Sequence, residues 1–563
     1  MLLFLCLCAI AAASAQDAPK VNIKQGVIIG SRVADGNYLS FYGIHYGGPT
    51  SGENRFKAPT EPPVYPGEYH AVSSDIICAQ PSPRGLIGIE DCLVLNIHTK
   101  NLTTPKPVIV WLEGEEYQST SKILYSFKEL VQKDVVVVSI NYRLSIFGFL
   151  CLGVPEAPGN AGLKDVIHAL KWIQSNIAAF GGDPSKVTLL GHGSGAAMVD
   201  LITLSPLSKG LVHYAMVLSG SALAPWAMAY DPIGYAKEFG AKLQYTNKKP
   251  SELAKLLSKT DINLLSSVLN EFEFYNNTPL FAPCIENVKL NPNGTFISDA
   301  PINILRSGKY TDIPYVAGFT DREGTIRAKE AALNNWLDKM NNNFEDFLTV
   351  DLAFKSKNDM VNVSKIVREF YFNQRMVNME TIEDFLDYQG DVLVLIPVTR
   401  GTIERALTSK SEVRMFEFAF RGAKNSDWAY PQIPLTGVRH GGILNYLFDY
   451  DLKEKSNNDP KKSMVERTVH FVHTGIPQPT NSEEWRPITR SSINLLYLSG
   501  EEVQTDLIIY KEEGLDNRNS ERTDFWNKIF DEYYQPPRPV SSANSLLSFG
   551  LITLITHIFI TFL

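Results

Sequence analysis

Apolar positions along the chain fall into short dense runs and longer periodic stretches, and the difference separates strand from helix. Residues 107–112 and 135–142 are rich in β-branched side chains and show no apolar–polar alternation. Runs of that kind suit strands buried on both faces of a sheet. Residues 187–190 form a third. Residues 21–31 and 38–46 read as early strands around the turn Ala34-Asp35-Gly36. In residues 163–180 the spacing changes: Leu163, Val166, Ile167, Leu170, Ile173 and Ile177 recur with helical period, and Gly181-Gly182-Asp183-Pro184 stops the helix. A second helix is expected from Ala196 onward, and the polar stretches 341–343 and 453–462 read as loops. Strand, helix, strand, helix in that order predicts an α/β fold with a large, mostly parallel sheet covered on both faces.

The two ends depart from this pattern. Residues 2–10 are apolar and precede Ala13-Ser14-Ala15, a small-x-small cleavage site, so 1–15 reads as a secretory signal peptide. Residues 546–563 are almost wholly apolar, no Lys or Arg follows them, and Ser541, Ser542 and Ala543 stand before them. That order suits a GPI-attachment signal with lipid on Ser541 or Ser542, with a single membrane anchor as the competing reading. Residues 536–545 then form a short Pro/Ser stalk, and residues 16–535 a single large domain outside the cell. Sequons at Asn101, Asn276, Asn293 and Asn362 fit a secreted chain. Cys78 and Cys92 enclose a short loop and are expected to form a disulfide. Cys151 and Cys284, with apolar flanks, are expected to be inert core thiols, with a second bridge, which would need a close Cα approach, left open. The net charge of −8 and the lack of basic runs argue against a nucleic-acid partner.

Several motifs together carry a family resemblance. They are Tyr42-Gly43-Ile44-His45-Tyr46 with Arg55-Phe56-Lys57-Ala58-Pro59, Glu90-Asp91-Cys92-Leu93-Val94-Leu95-Asn96-Ile97, Asn141-Tyr142-Arg143, Gly159-Asn160-Ala161-Gly162-Leu163-Lys164-Asp165 with Trp172, and Leu218-Ser219-Gly220-Ser221. In these the chain resembles the type-B carboxylesterase and cholinesterase family over nearly the whole body. The resemblance implies an α/β-hydrolase fold with a deep gorge, a serine nucleophile on a sharp strand-to-helix turn, a His base, an acid, and backbone donors for the oxyanion.

The elbow motif reads Gly191-His192-Gly193-Ser194-Gly195, with Gly193 where the nucleophilic serine belongs. A one-residue slip onto Ser194 would move the hydroxyl off the apex, so Ser194 is expected to contribute only its N–H. The resemblance assigns Glu323 as the acid and His440 as the base. It also places the donor loop at Glu113-Gly114-Glu115-Glu116-Tyr117, where Glu115 and Glu116 stand in place of two glycines. Glutamates there penalise positive φ and bring negative charge toward the oxyanion. In a well-studied serine hydrolase, losing the serine costs roughly 10⁶ in turnover. The chain therefore looks like the family's catalytically inactive members of the neuroligin, neurotactin and glutactin type.

The expected function is a catalytically inactive cell-surface glycoprotein acting in adhesion or ligand binding, without cofactor, lipid-held on the extracellular face. Its partner would be an extracellular protein or a small hydrophobic ligand in the gorge, and residues 521–533 offer a helix for homodimerisation. A residual ester hydrolase using Ser194 or a His440-activated water is the alternative. No metal is expected; a cation held by Glu113, Glu115, Glu116, His192 and His440 would match no known ligand signature.

Overall fold

The computed structural model describes residues 18–540 apart from 34–36, 121–124, 422–427, 449–458, 480–483, 491, 503–507 and 515–518. The segment expected to be a signal peptide, the turn Ala34-Asp35-Gly36 and the tail with Ser541 and Ser542 lie outside the described residues. Eleven strands form the main sheet: β1 (Ser31–Val33), β2 (Tyr38–His45), β3 (Val94–Thr99), β4 (Lys106–Leu112), β5 (Val136–Ile140), β6 (Gly182–His192), β7 (Tyr214–Leu218), β8 (Tyr315–Thr320), β9 (Val413–Arg421), β10 (Leu495–Glu502) and β11 (Ile508–Gly514). Their spatial order is β1-β2-β3-β5-β4-β6-β7-β8-β9-β10-β11. From β5 through β10 every pairing is parallel, and the outer pairings are antiparallel.

Every residue of β4 and β5 is buried, as their unbroken apolar runs require of central parallel strands. Helix α1 (Ala161–Asn176) turns Leu163, Val166, Leu170 and Ile173 into the core. It runs on into a 3₁₀ turn, Ile177–Phe180, and stops at Gly181, which takes φ 76°. Helix α2 (Ser194–Leu204) is buried along its whole length. It starts two residues before the sequence suggests, because the elbow turn is tighter than its glycines advertise.

Some expectations are corrected. Residues 21–31 do not form one strand: a turn before Gly26, at φ 137°, splits them into Lys20–Ile23 and Gly26–Ile29, which join Glu68–His70 in a separate sheet. Asn341 and Asn342 end the helix Trp336–Asn342, and Asp459 opens the helix Asp459–Thr474 inside the expected loop. Cys151 and Cys284 are not free thiols but form a disulfide, with their Cα atoms 6.5 Å apart. The reason is tertiary. Asn160 donates to the Cys284 carbonyl at 2.8 Å and accepts from its N–H at 2.9 Å, which clamps two segments distant in sequence. The bare Cα of Gly159 leaves room for both sulfurs. Cys78 and Cys92 are also bonded, at a Cα separation of 5.0 Å.

Several motif residues serve the scaffold. Arg55 grips Glu90 at 2.7 Å, and Arg143 grips the buried Asp165. Helix α3 (Lys357–Phe372) and helix α4 (Ser520–Tyr533) meet through stacked Phe370 and Phe525. Trp526 of α4 is fully buried against its own chain. Among the described residues no helix is long and apolar enough to cross a membrane.

Candidate active site

Strand β6 delivers His192, and α2 begins at Ser194, so Gly193 alone makes the turn, at φ 58° and ψ −125°. Side-chain-bearing residues resist that conformation, and a nucleophile elbow imposes it to raise its apex. A Cβ built on Gly193 would lie 3.7 Å from His440 Nε2 and 3.2 Å from the Gly114 carbonyl oxygen. The geometry of a nucleophile survives without the nucleophile. The flanking glycines are held by close crossings. A Cβ on Gly191 would strike the Gly195 carbonyl, and one on Gly195 would strike that of Leu112.

Ser194 does not compensate. It is 2% exposed, and its Oγ accepts a hydrogen bond from the Tyr117 N–H at 3.1 Å. Its own N–H belongs to the first turn of α2, where no intrahelical acceptor exists.

The acid and base meet as the motifs imply. His440 Nδ1 lies 2.6 Å from Glu323 Oε2. The other carboxylate oxygen accepts from Ser219 Oγ and from the Thr320 N–H, each at 2.6 Å. The His440 N–H donates to Thr325 Oγ1 at 2.8 Å. Glu323 lies three residues after the end of β8 and opens the 3₁₀ turn Glu323–Arg327, so the sheet fixes its position. Beside this pair, the His192 ring centroid lies 4.6 Å from that of His440. Burial first, then the nearby His440 and Arg439, hold the His192 imidazole well below its ordinary pKa. His192 is therefore neutral, and its buried Nε2 has no hydrogen-bond partner among the described residues.

The donor loop differs from expectation. Glu113 and Gly114 continue from β4, and Tyr142 donates its hydroxyl to the Glu113 carbonyl. The Glu115 N–H, which the family resemblance would make an oxyanion donor, is spent on the Ser119 carbonyl at 2.9 Å. Glu115 itself is exposed. Glu116 and Tyr117 take φ 50° and 62°. Left-handed backbone costs roughly 1–2 kcal/mol for each such residue, so the loop keeps a glycine-like path at a penalty. The expected negative field at the oxyanion position is corrected as well. The Glu116 carboxylate pairs with the Arg327 guanidinium, so its charge is compensated. Glu113, Glu115, Glu116, His192 and His440 do not converge on a cation. Among the described residues no three His, Cys, Asp or Glu side chains are grouped to hold a metal.

Sequence reasoning missed Arg327, Ser219 and Thr325. Ser219 sits in a motif already singled out, and its place after β7 beside the acid was the available signal. Arg327 had none: it reaches Glu116 across 211 positions of chain. Of the sequons, Asn293 and Asn362 are exposed, the latter on α3, while Asn101 and Asn276 are half-buried.

Residues 17–526 match the model of the carboxylesterase family. Esterase FE4 of Myzus persicae is 30% identical over 519 residues, covering 88% of this chain and 91% of its own. Juvenile hormone esterase of Tribolium castaneum is 28% identical, covering 86% and 89%. The crystal structure of juvenile hormone esterase from Manduca sexta superposes with a TM-score of 0.80 at 25% identity, over 92% of this chain and 100% of the other. With the parallel sheet, the sharp turn after β6 and the Glu323–His440 pair already in place, this chain belongs to the carboxylesterase family.

Proposed function

We propose that this carboxylesterase-family protein binds rather than cleaves: a glycoprotein held at the extracellular face by a GPI lipid, recognising a ligand or surface partner without forming an acyl-enzyme. One observation carries the reading. At the apex, where a Cβ would lie 3.7 Å from His440 Nε2, residue 193 has only hydrogen. A covalent route needs an oxygen there, and its loss removes roughly six orders of magnitude in a serine hydrolase. The diverted Glu115 N–H supports the same reading, since a lost oxyanion donor costs roughly 10² to 10³ where separable. Adhesion and ligand binding both use such a body, and the partner on either account is extracellular.

A second reading rests on the intact Glu323–His440 pair at 2.6 Å. His440 Nε2 faces the room left at Gly193, so a water there would have a general base, giving slow hydrolysis with no covalent intermediate. Purified protein incubated with p-nitrophenyl acetate and a fluorophosphonate separates the readings. Binding without chemistry gives no turnover above buffer and no label. Slow turnover that resists the fluorophosphonate and disappears in His440→Ala supports the second reading. Stoichiometric labelling at Ser194 overturns both.

A further inference from the structure

Arg327 is a nearly buried guanidinium, with 9% of its side chain exposed, while its partner Glu116 is 41% exposed. Its Nε donates to Asn277 Oδ1 at 2.8 Å, and its cationic carbon stands 5.7 Å from the centre of the Trp336 ring. The cation is thus fixed on one side by an amide and an indole, and on the other by a carboxylate that comes from the solvent side. The carboxylate belongs to a residue in left-handed backbone, followed by another, at φ 50° and 62°. Glu116 is held in a conformation its own backbone disfavours, and its ion pair opposes release of its side chain while Ser194 and Ser145 hold the neighbouring Tyr117 backbone.

We infer that Arg327 is a binding site for the carboxylate group of a small organic acid, and that Glu116 occupies it in the ligand-free protein. This rests on the binding reading above and names its ligand class. Exchange of one carboxylate for another keeps the guanidinium paired throughout, which avoids the high cost of a bare buried cation. It also leaves unchanged the charge felt by Glu330, the other acid whose field acts on Arg327. On release Glu116 leaves its left-handed backbone while Tyr117 stays held by Ser194 and Ser145, and the course vacated by the Glu116 side chain is the entrance. An ester lacks the second anionic oxygen that a guanidinium fork recognises, so the site selects acid over ester.

Equilibrium dialysis of the purified protein against radiolabelled sodium butyrate, with sodium chloride holding ionic strength constant, tests this. One saturable site is expected. Glu116→Gln removes the internal competitor and should tighten binding by about tenfold or more. Arg327→Met should abolish it, and unlabelled methyl butyrate should not compete. Unchanged affinity in Glu116→Gln, or competition by methyl butyrate equal to that of butyrate, overturns the inference even if Arg327→Met does not fold. Ester turnover in the p-nitrophenyl acetate assay would sink the binding reading instead, whatever the dialysis shows. Inert ester with no saturable butyrate site sinks this inference alone.

Discussion

The elbow and the donor loop have changed in opposite directions. At the elbow, a position that an active enzyme fills with a strained serine holds Gly193, which meets φ 58° at no steric cost. In the loop, two positions that glycine would occupy freely carry Glu115 and Glu116, and Glu116 and Tyr117 still follow a left-handed path. One change relieves strain and leaves the apex without a side chain. The other adds strain and is tied down by Arg327 and by the Ser194 hydroxyl.

The largest expected effect separates the two changes by activity. Gly193→Ser alone should leave aryl-ester turnover low, because the Glu115 N–H stays committed to Ser119. Adding Glu115→Gly and Glu116→Gly should raise kcat/KM by about a further 10²-fold, the worth of an oxyanion donor. Full turnover from the single change would show that the loop, as it stands, already serves the chemistry.

The next concerns the polar ground behind Glu323. Behind Glu323 a small polar cavity is lined by Asp387, Asp391 and Arg522. Asp391 accepts from Tyr371 at 2.6 Å and from Arg522 of α4 at 2.9 Å. Burial nonetheless pushes it from the usual 3.8 up to about 7, against the pull of Arg522 and Tyr371. A raised carboxyl pKa means the folded protein holds a proton that the unfolded chain releases. Its contribution to stability is therefore full below about pH 4, is lost as pH rises to about 7, and is flat above, an integrated change of about 4 kcal/mol. Chemical denaturation across that range should show the slope in the wild type and its loss in Asp391→Asn. An unchanged slope would show that Asp391 does not hold its proton across that range.

Within the loop, Glu116→Ala should cost about 2 kcal/mol, because it takes from Arg327 a carboxylate partner that is itself part-exposed. Glu116→Gly should cost about 1 kcal/mol less, the difference being the left-handed strain. Equal losses in thermal unfolding would show that the loop carries no strain. The smallest effect is at the elbow. Gly193→Ser should destabilise by about 1 kcal/mol, since a side chain must take the positive φ that glycine takes freely. A stabilised variant would reverse the contrast between the two regions.

The parallel core was legible because fully buried strands need unbroken apolar runs, as in 107–112 and 135–142, and α1 because one face of a helix repeats its apolar residues. The missing hydroxyl was legible because an elbow needs close-packed glycines at fixed spacing, so the residue between them is defined by the sequence alone. Tertiary structure alone decided the rest. The Cys151–Cys284 bond depends on the clamp by Asn160, and the compensation of Glu116 depends on a guanidinium 211 positions away. Local pattern records what a segment must bury and how it must turn. Which charges and sulfurs come to face each other is set by how the segments pack, and no single segment carries that information.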